Sequence, residues 1–164
     1  MKQVFISAGH SESDPGCIAN GHKEAELTEY LRDRIAANLR GLNVRVVTDG
    51  APGINLPRKD AIQMAKGNDG PSVEVHFNSS VSSKSTGVEV LANPELKPLA
   101  MQLAAAVSGV LQIPLRGVLG WKLPSSGQHP RLGFCAVGGL ILEVCFMNNS
   151  AELNKYLFND EAVA

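Results

Sequence analysis

Gly139-Leu140-Ile141-Leu142-Glu143-Val144 (139–144) is an apolar run broken by a single carboxylate. A short continuous apolar run of this kind reads as a buried central strand. A carboxylate inside it is costly to desolvate, so Glu143 must be ion-paired, protonated or poised near a cation. Working outward, residues 2–8 read as a short buried strand stopped by Gly9. Residues 11–23 are rich in Ser, Asp, Pro, Gly and Asn and read as a loop. Leu27, Tyr30, Leu31, Ile35 and Leu39 recur at helical spacing, and Gly41 stands where that helix stops. Further strands are expected over 43–48, 72–76 and 87–92, with an edge strand over 132–137. Further helices are expected over 58–66, 95–112 and 151–158. Strands alternating with helices predict an α/β fold: one domain over 1–164, with a twisted, mostly parallel sheet of about six strands flanked by helices on both faces.

Composition narrows the function classes. The chain has 164 residues, a net charge of −1 and no basic run longer than Arg58-Lys59. With 5% aromatic residues, neither nucleic acid nor an anionic membrane is an expected partner. The longest apolar stretch, near 132–146, is broken by Gly138, Gly139 and Glu143, so no membrane insertion is expected. Met1-Lys2 leads straight into a strand with no signal-peptide pattern, which predicts synthesis in the cytoplasm. Cys17, Cys135 and Cys145 are odd in number and lack Cys-x-x-Cys spacing, so they read as reduced thiols. The glycines at 9, 16 and 21 fit neither a P-loop nor a dinucleotide fingerprint.

The residues with chemistry sit at or beside element ends. His10 follows the first strand, His76 ends the third, and Glu24 opens the first helix. In an open α/β sheet, neighbouring strand ends converge on one crevice. Two imidazoles and one carboxylate suit Zn²⁺ and leave a fourth position for water. A further carboxylate, Glu143, can then serve as base. Glu26 and Glu29 compete with Glu24, but Leu27 and Tyr30 mark the buried stripe and turn both toward solvent. His22, two residues before Glu24, and His129 read as exposed loop histidines, and Cys17 lies in the loop near the site.

In this pattern the chain resembles the zinc-dependent N-acetylmuramoyl-L-alanine amidases of bacterial and phage cell-wall lysis, the amidase-3 type. The motifs that carry the resemblance are Ala8-Gly9-His10, Asp14-Pro15-Gly16-Cys17 and Asn20-Gly21-His22-Lys23-Glu24. They continue with Leu56-Pro57-Arg58 and with Glu74-Val75-His76-Phe77-Asn78-Ser79, where the family has Ser-x-His-x-Asn-Ala. Gly87-Val88-Glu89-Val90 and Leu142-Glu143-Val144-Cys145-Phe146-Met147-Asn148-Asn149 complete the set. Ser11, Glu12, Ala25 and Asp49 depart from the family pattern without removing a ligand. The resemblance implies zinc ligands His10, Glu24 and His76, with Glu143 as catalytic acid/base. The reaction it implies is hydrolysis of the amide between N-acetylmuramic acid and L-alanine of peptidoglycan, with release to the wall through a holin-type membrane hole. A monomeric catalytic domain is expected.

Asn78 and Arg58 read as groups that hold a ligand loop in place, and Trp121 and Lys122 as groove or packing residues. Two other readings stay open. One is a zinc exopeptidase on free peptides, which would need Arg116 or Arg131 to clamp a terminal carboxylate. The other is an inactive wall-binding module.

Overall fold

The computed structural model describes residues 3–126 and 132–164. A six-stranded sheet forms the middle layer, in the order β4 (Val46–Thr48), β1 (Val4–Ala8), β5 (Ser72–Asn78), β8 (Leu140–Phe146), β6 (Glu89–Leu91), β7 (Trp121–Lys122). The first four run parallel; β6 pairs antiparallel to β8 and parallel to β7. A small hairpin, β2 (Ile18–Ala19) and β3 (His22–Lys23), precedes α1 (Glu24–Gly41). The remaining helices are α2 (Arg58–Gly67), α3 (Lys97–Leu111), α4 (Gly133–Ala136) and α5 (Ser150–Val163).

Strand alternation divides the core in two. Ile6, Val73, Val75, Phe77, Val90, Leu140, Leu142 and Val144 share one large cluster with Leu27 and Leu31 of α1, Ala100, Ala104 and Val107 of α3, and Leu153 and Tyr156 of α5. Phe5, Leu91 and Ile141 point the other way, into a small cluster with Ala65 of α2 and Phe134 and Cys135 of α4. Two short helices cover only part of this second face. Its remainder carries Glu74, His76, Glu143 and Glu89, and the cleft opens there.

Two expectations are corrected. Residues 132–137 form no edge strand: Gly133–Ala136 is one helical turn that seats Phe134 and Cys135 over the small cluster. The edge is β7 instead, whose Trp121 Nε1 donates to Ala92 O at 2.9 Å. Tyr30 is not on the buried stripe of α1. It is 45% exposed and donates to Asp160, while Arg32 is fully buried. The Arg32 guanidinium meets Asp49 at 3.0 Å, and Asp49 in turn accepts from the Ser7 hydroxyl at 2.7 Å. Asp49 therefore links α1 to the end of β1 beside the cleft. Among the described residues, no helix is long and apolar enough to cross a membrane.

Candidate metal centre and active-site cleft

The first strand delivers His10 through an unusual backbone. Its φ is 66°, in the left-handed region that costs a non-glycine residue about 1–2 kcal/mol. Neighbours hold the turn. Asn55 Nδ2 donates to Ala8 O at 3.0 Å and His10 O at 2.6 Å, and the Thr28 hydroxyl donates to Gly9 O at 2.7 Å. Gly16, at φ 65°, closes over the imidazole. A Cβ there would lie 2.6 Å from His10 Cδ2 and 2.7 Å from Glu24 Oε2, so only glycine lets the loop approach this closely.

Glu24 sits at the hub. Its Oε2 lies 3.1 Å from His10 Nε2 and accepts from Cys17 N–H at 3.0 Å. Its Oε1 lies 3.1 Å from His76 Nδ1 and accepts from Phe77 N–H at 3.0 Å. His10, Glu24 and His76 each offer one ligand atom, and these atoms all lie within 4.8 Å of one another. The outer ring nitrogens are also engaged. His10 Nδ1 lies 3.1 Å from Asp14 Oδ2, and His76 Nε2 lies 3.0 Å from the buried Glu74 Oε1. The hydrogen bond at the outer nitrogen fixes which nitrogen faces inward.

Sheet register places the other acids. His76 lies opposite Glu143, and Glu143 lies opposite Glu89, giving one row across β5, β8 and β6. Glu143 stands in mid-strand, so the site lies on the sheet face rather than beyond the strand ends. Its Oε2 is buried and has no hydrogen-bond partner among the described residues. Burial pushes the Glu143 carboxyl up to about 7, against the pull of His76 and with Glu24 and Glu89 adding to the rise. Burial also works against charge on Glu24, but hydrogen bonds from His10 and His76 outweigh it and hold this carboxyl well below the usual range. Burial works against protonation of the two imidazoles. Glu24 overcomes it at both, with Glu74 helping at His76, so both are raised.

Glu26 is exposed and paired with Lys23, and Glu29 is half-buried, so neither joins the cluster. His22 lies on the β2–β3 hairpin outside the cluster; His129 and Arg131 lie outside the described residues. Cys17 lines the cleft, and its backbone N–H is the group that reaches Glu24. Asn78 holds Glu89 at 3.1 Å rather than a ligand loop, and Arg58 stands on the cleft wall at the start of α2. Trp121 packs under Lys97, 4.6 Å from the ring centroid, whereas Lys122 faces the cleft. Sequence reasoning gave no role to Glu74 or Glu89. The signal was strand alternation, since Glu74 stands two residues before His76 and so shares its face. The whole cleft encloses about 920 Å³, at the upper end for small-ligand sites.

A family model described as N-acetylmuramoyl-L-alanine amidase matches residues 4–163. A Neisseria meningitidis structure described as a candidate N-acetylmuramoyl-L-alanine amidase is 33% identical, superposes with a TM-score of 0.89, and the match covers 99% of this chain and 89% of that one. The catalytic domain of CwlV, an N-acetylmuramoyl-L-alanine amidase from Bacillus (Paenibacillus) polymyxa var. colistinus, shares the fold at 21% identity and a TM-score of 0.83, over 99% of this chain and 92% of that one. An uncharacterised Bacillus subtilis (strain 168) protein, YqiI, is 23% identical over 160 residues, 94% of this chain and 74% of that protein.

Proposed function

The chain belongs to the N-acetylmuramoyl-L-alanine amidase family, and from that premise we propose that His10, Glu24 and His76 hold a zinc ion beside Glu143, the acid/base of the hydrolysis. The bond cut is the amide joining the lactyl group of N-acetylmuramic acid to L-alanine in peptidoglycan. The observation that carries the reading is the cluster of two imidazoles and one carboxylate on the wall of an open cleft, a donor set that suits zinc. When bound, zinc supplies Lewis-acid polarisation and a more acidic water.

The chain's own residues do the rest. Glu143 takes a proton from the attacking water at Oε2. The water oxygen bonds to the lactyl carbonyl carbon, the C–N bond breaks, and Glu143 returns the proton to the departing amine of L-alanine. Asp14 and Glu74 orient the imidazoles.

The test is product analysis on purified peptidoglycan with zinc supplied. New L-alanine N-termini should appear and chelator should stop them. Release of free amino acids from the C-termini of peptides would favour the exopeptidase reading instead. Wall binding with no new termini would favour the inactive module. Action on the wall after holin-type release and a monomeric catalytic unit belong to the same proposal.

Glu74 yields a prediction of its own. It is the buried carboxylate behind His76, so Glu74→Leu should weaken zinc binding about 10–100-fold. Glu74→Gln, which keeps an oxygen for the Nε2 proton, should recover most of that loss. Competition with a chromophoric chelator reads both variants.

A further inference from the structure

The cleft has a second chemical end. Glu89 is buried, and Arg116 and Lys122 both lean on it. Arg116 Nε donates to Glu89 Oε2, and its Nη1 donates to Thr86 O at 3.2 Å. Lys122 Nζ lies 3.3 Å from both Glu89 oxygens, and Asn78 Nδ2 supplies a further bond at 3.1 Å. Two cations on one anion leave one net positive charge on this wall. The Arg116 guanidinium rests 4.8 Å above the Phe146 ring, which fixes its plane. Gly117, at φ 61°, makes room for the lysine stem, because a Cβ there would lie 2.5 Å from Lys122 Cγ. Both cations are partly open to the cleft. They are preorganised, which lowers the ordering cost of binding an anion.

The position of this wall matters as much as its charge. Glu89 is the register partner of Glu143, so its Cα lies about 4.5–5.5 Å from that of the proposed acid/base. The cations therefore stand within about one or two residues' reach of the bond being cut. In the proposed substrate the lactyl carboxyl is consumed in the scissile amide. Any nearby carboxylate must then belong to the stem peptide.

We propose that Arg116 and Lys122, held by Glu89, form a subsite for a stem-peptide carboxylate close to the scissile amide. This rests on the amidase reading and extends it to substrate choice. It also orients the substrate, with the peptide over β6 and β7 and the glycan toward the opposite rim. A site built around charged donors discriminates against an analogue that lacks the matching group. The enzyme then prefers walls in which the residue after L-alanine keeps a free carboxylate over walls in which it is a carboxamide.

Two muropeptides that differ only in that carboxylate or carboxamide test the idea with the zinc-loaded protein. Wild type should favour the free acid by about 10-fold or more in kcat/KM, and added salt should shrink that ratio. Arg116→Gln and Lys122→Gln should each move the ratio toward one. Melting temperature and zinc content confirm that each variant is folded. Lys122→Gln alone carries the test if Arg116→Gln, which strips a partner from buried Glu89, fails to fold. Equal turnover of both substrates by wild type, or an unchanged ratio in the variants, overturns the subsite. No turnover of either substrate by wild type overturns the amidase reading, and the subsite with it.

Discussion

Glu143→Gln is expected to lower kcat on peptidoglycan about 10²–10⁴-fold while zinc stays bound at wild-type affinity. Glu24 has both oxygens committed, to the imidazoles and to the backbone N–H groups of Cys17 and Phe77. Glu74 is held by His76, and Glu89 is spanned by Arg116, Lys122 and Asn78. Asp14 backs His10 from an exposed loop. Only Glu143 keeps a buried carboxylate oxygen with no partner among the described residues. Burial also sets it near neutrality, at about 7, where a single group can both take and return a proton. Glutamine preserves shape and packing but cannot carry the proton, so the loss should fall on kcat rather than KM. Full activity in this variant would remove Glu143 from the mechanism and return attention to Glu74, the next acid along the same face.

The fold was legible where elements are long and their period clear. The helix expected over 95–112 appears as Lys97–Leu111, preceded by a single turn of 3₁₀ helix, and the apolar run at 139–144 became Leu140–Phe146. Legibility failed where tertiary contacts decide. Leu132–Val137 is six apolar or small residues, too few to show a period, and it folds as a helical turn because Phe134 and Cys135 have a cluster to enter. Trp121–Lys122 becomes a strand only because β6 lies alongside, a pairing between segments about thirty residues apart. The burial of Arg32 on α1 depends on Asp49, a partner that a local pattern does not reveal.

In the site, His10, His76, Glu24 and Glu143 stood out as polar residues ending or interrupting apolar elements. Glu74 and Glu89 carry the same mark, yet a lone acid at an alternate position of a strand ordinarily means a solvated face. Here that face is the cleft floor. The resemblance has serine where Glu74 stands, so the motif gave no reason to expect a carboxylate behind the second histidine.

Glu24→Gln should cost more zinc affinity than any change behind the imidazoles, beyond the roughly 10–100-fold expected for an outer partner. This carboxylate touches both histidines, 3.1 Å from each ring, and it is the only anion among the three proposed ligands. Its removal takes away the charge that draws a cation to two otherwise neutral imidazoles. Glutamine is the informative replacement. Alanine would also strand the Cys17 and Phe77 backbone N–H groups, at about 1–3 kcal/mol each, and confuse ligand loss with unfolding. The amide oxygen of glutamine can still satisfy one of them. Equilibrium dialysis should find one zinc per wild-type chain and a markedly weaker site in the variant. Hydrolysis should fall in step with zinc content and return in part at high zinc, a rescue that Glu143→Gln should not show. One tightly bound zinc in Glu24→Gln would mean that the ion sits elsewhere along the row of His76, Glu143 and Glu89. In that case the proton carrier and the metal ligands would have to exchange roles.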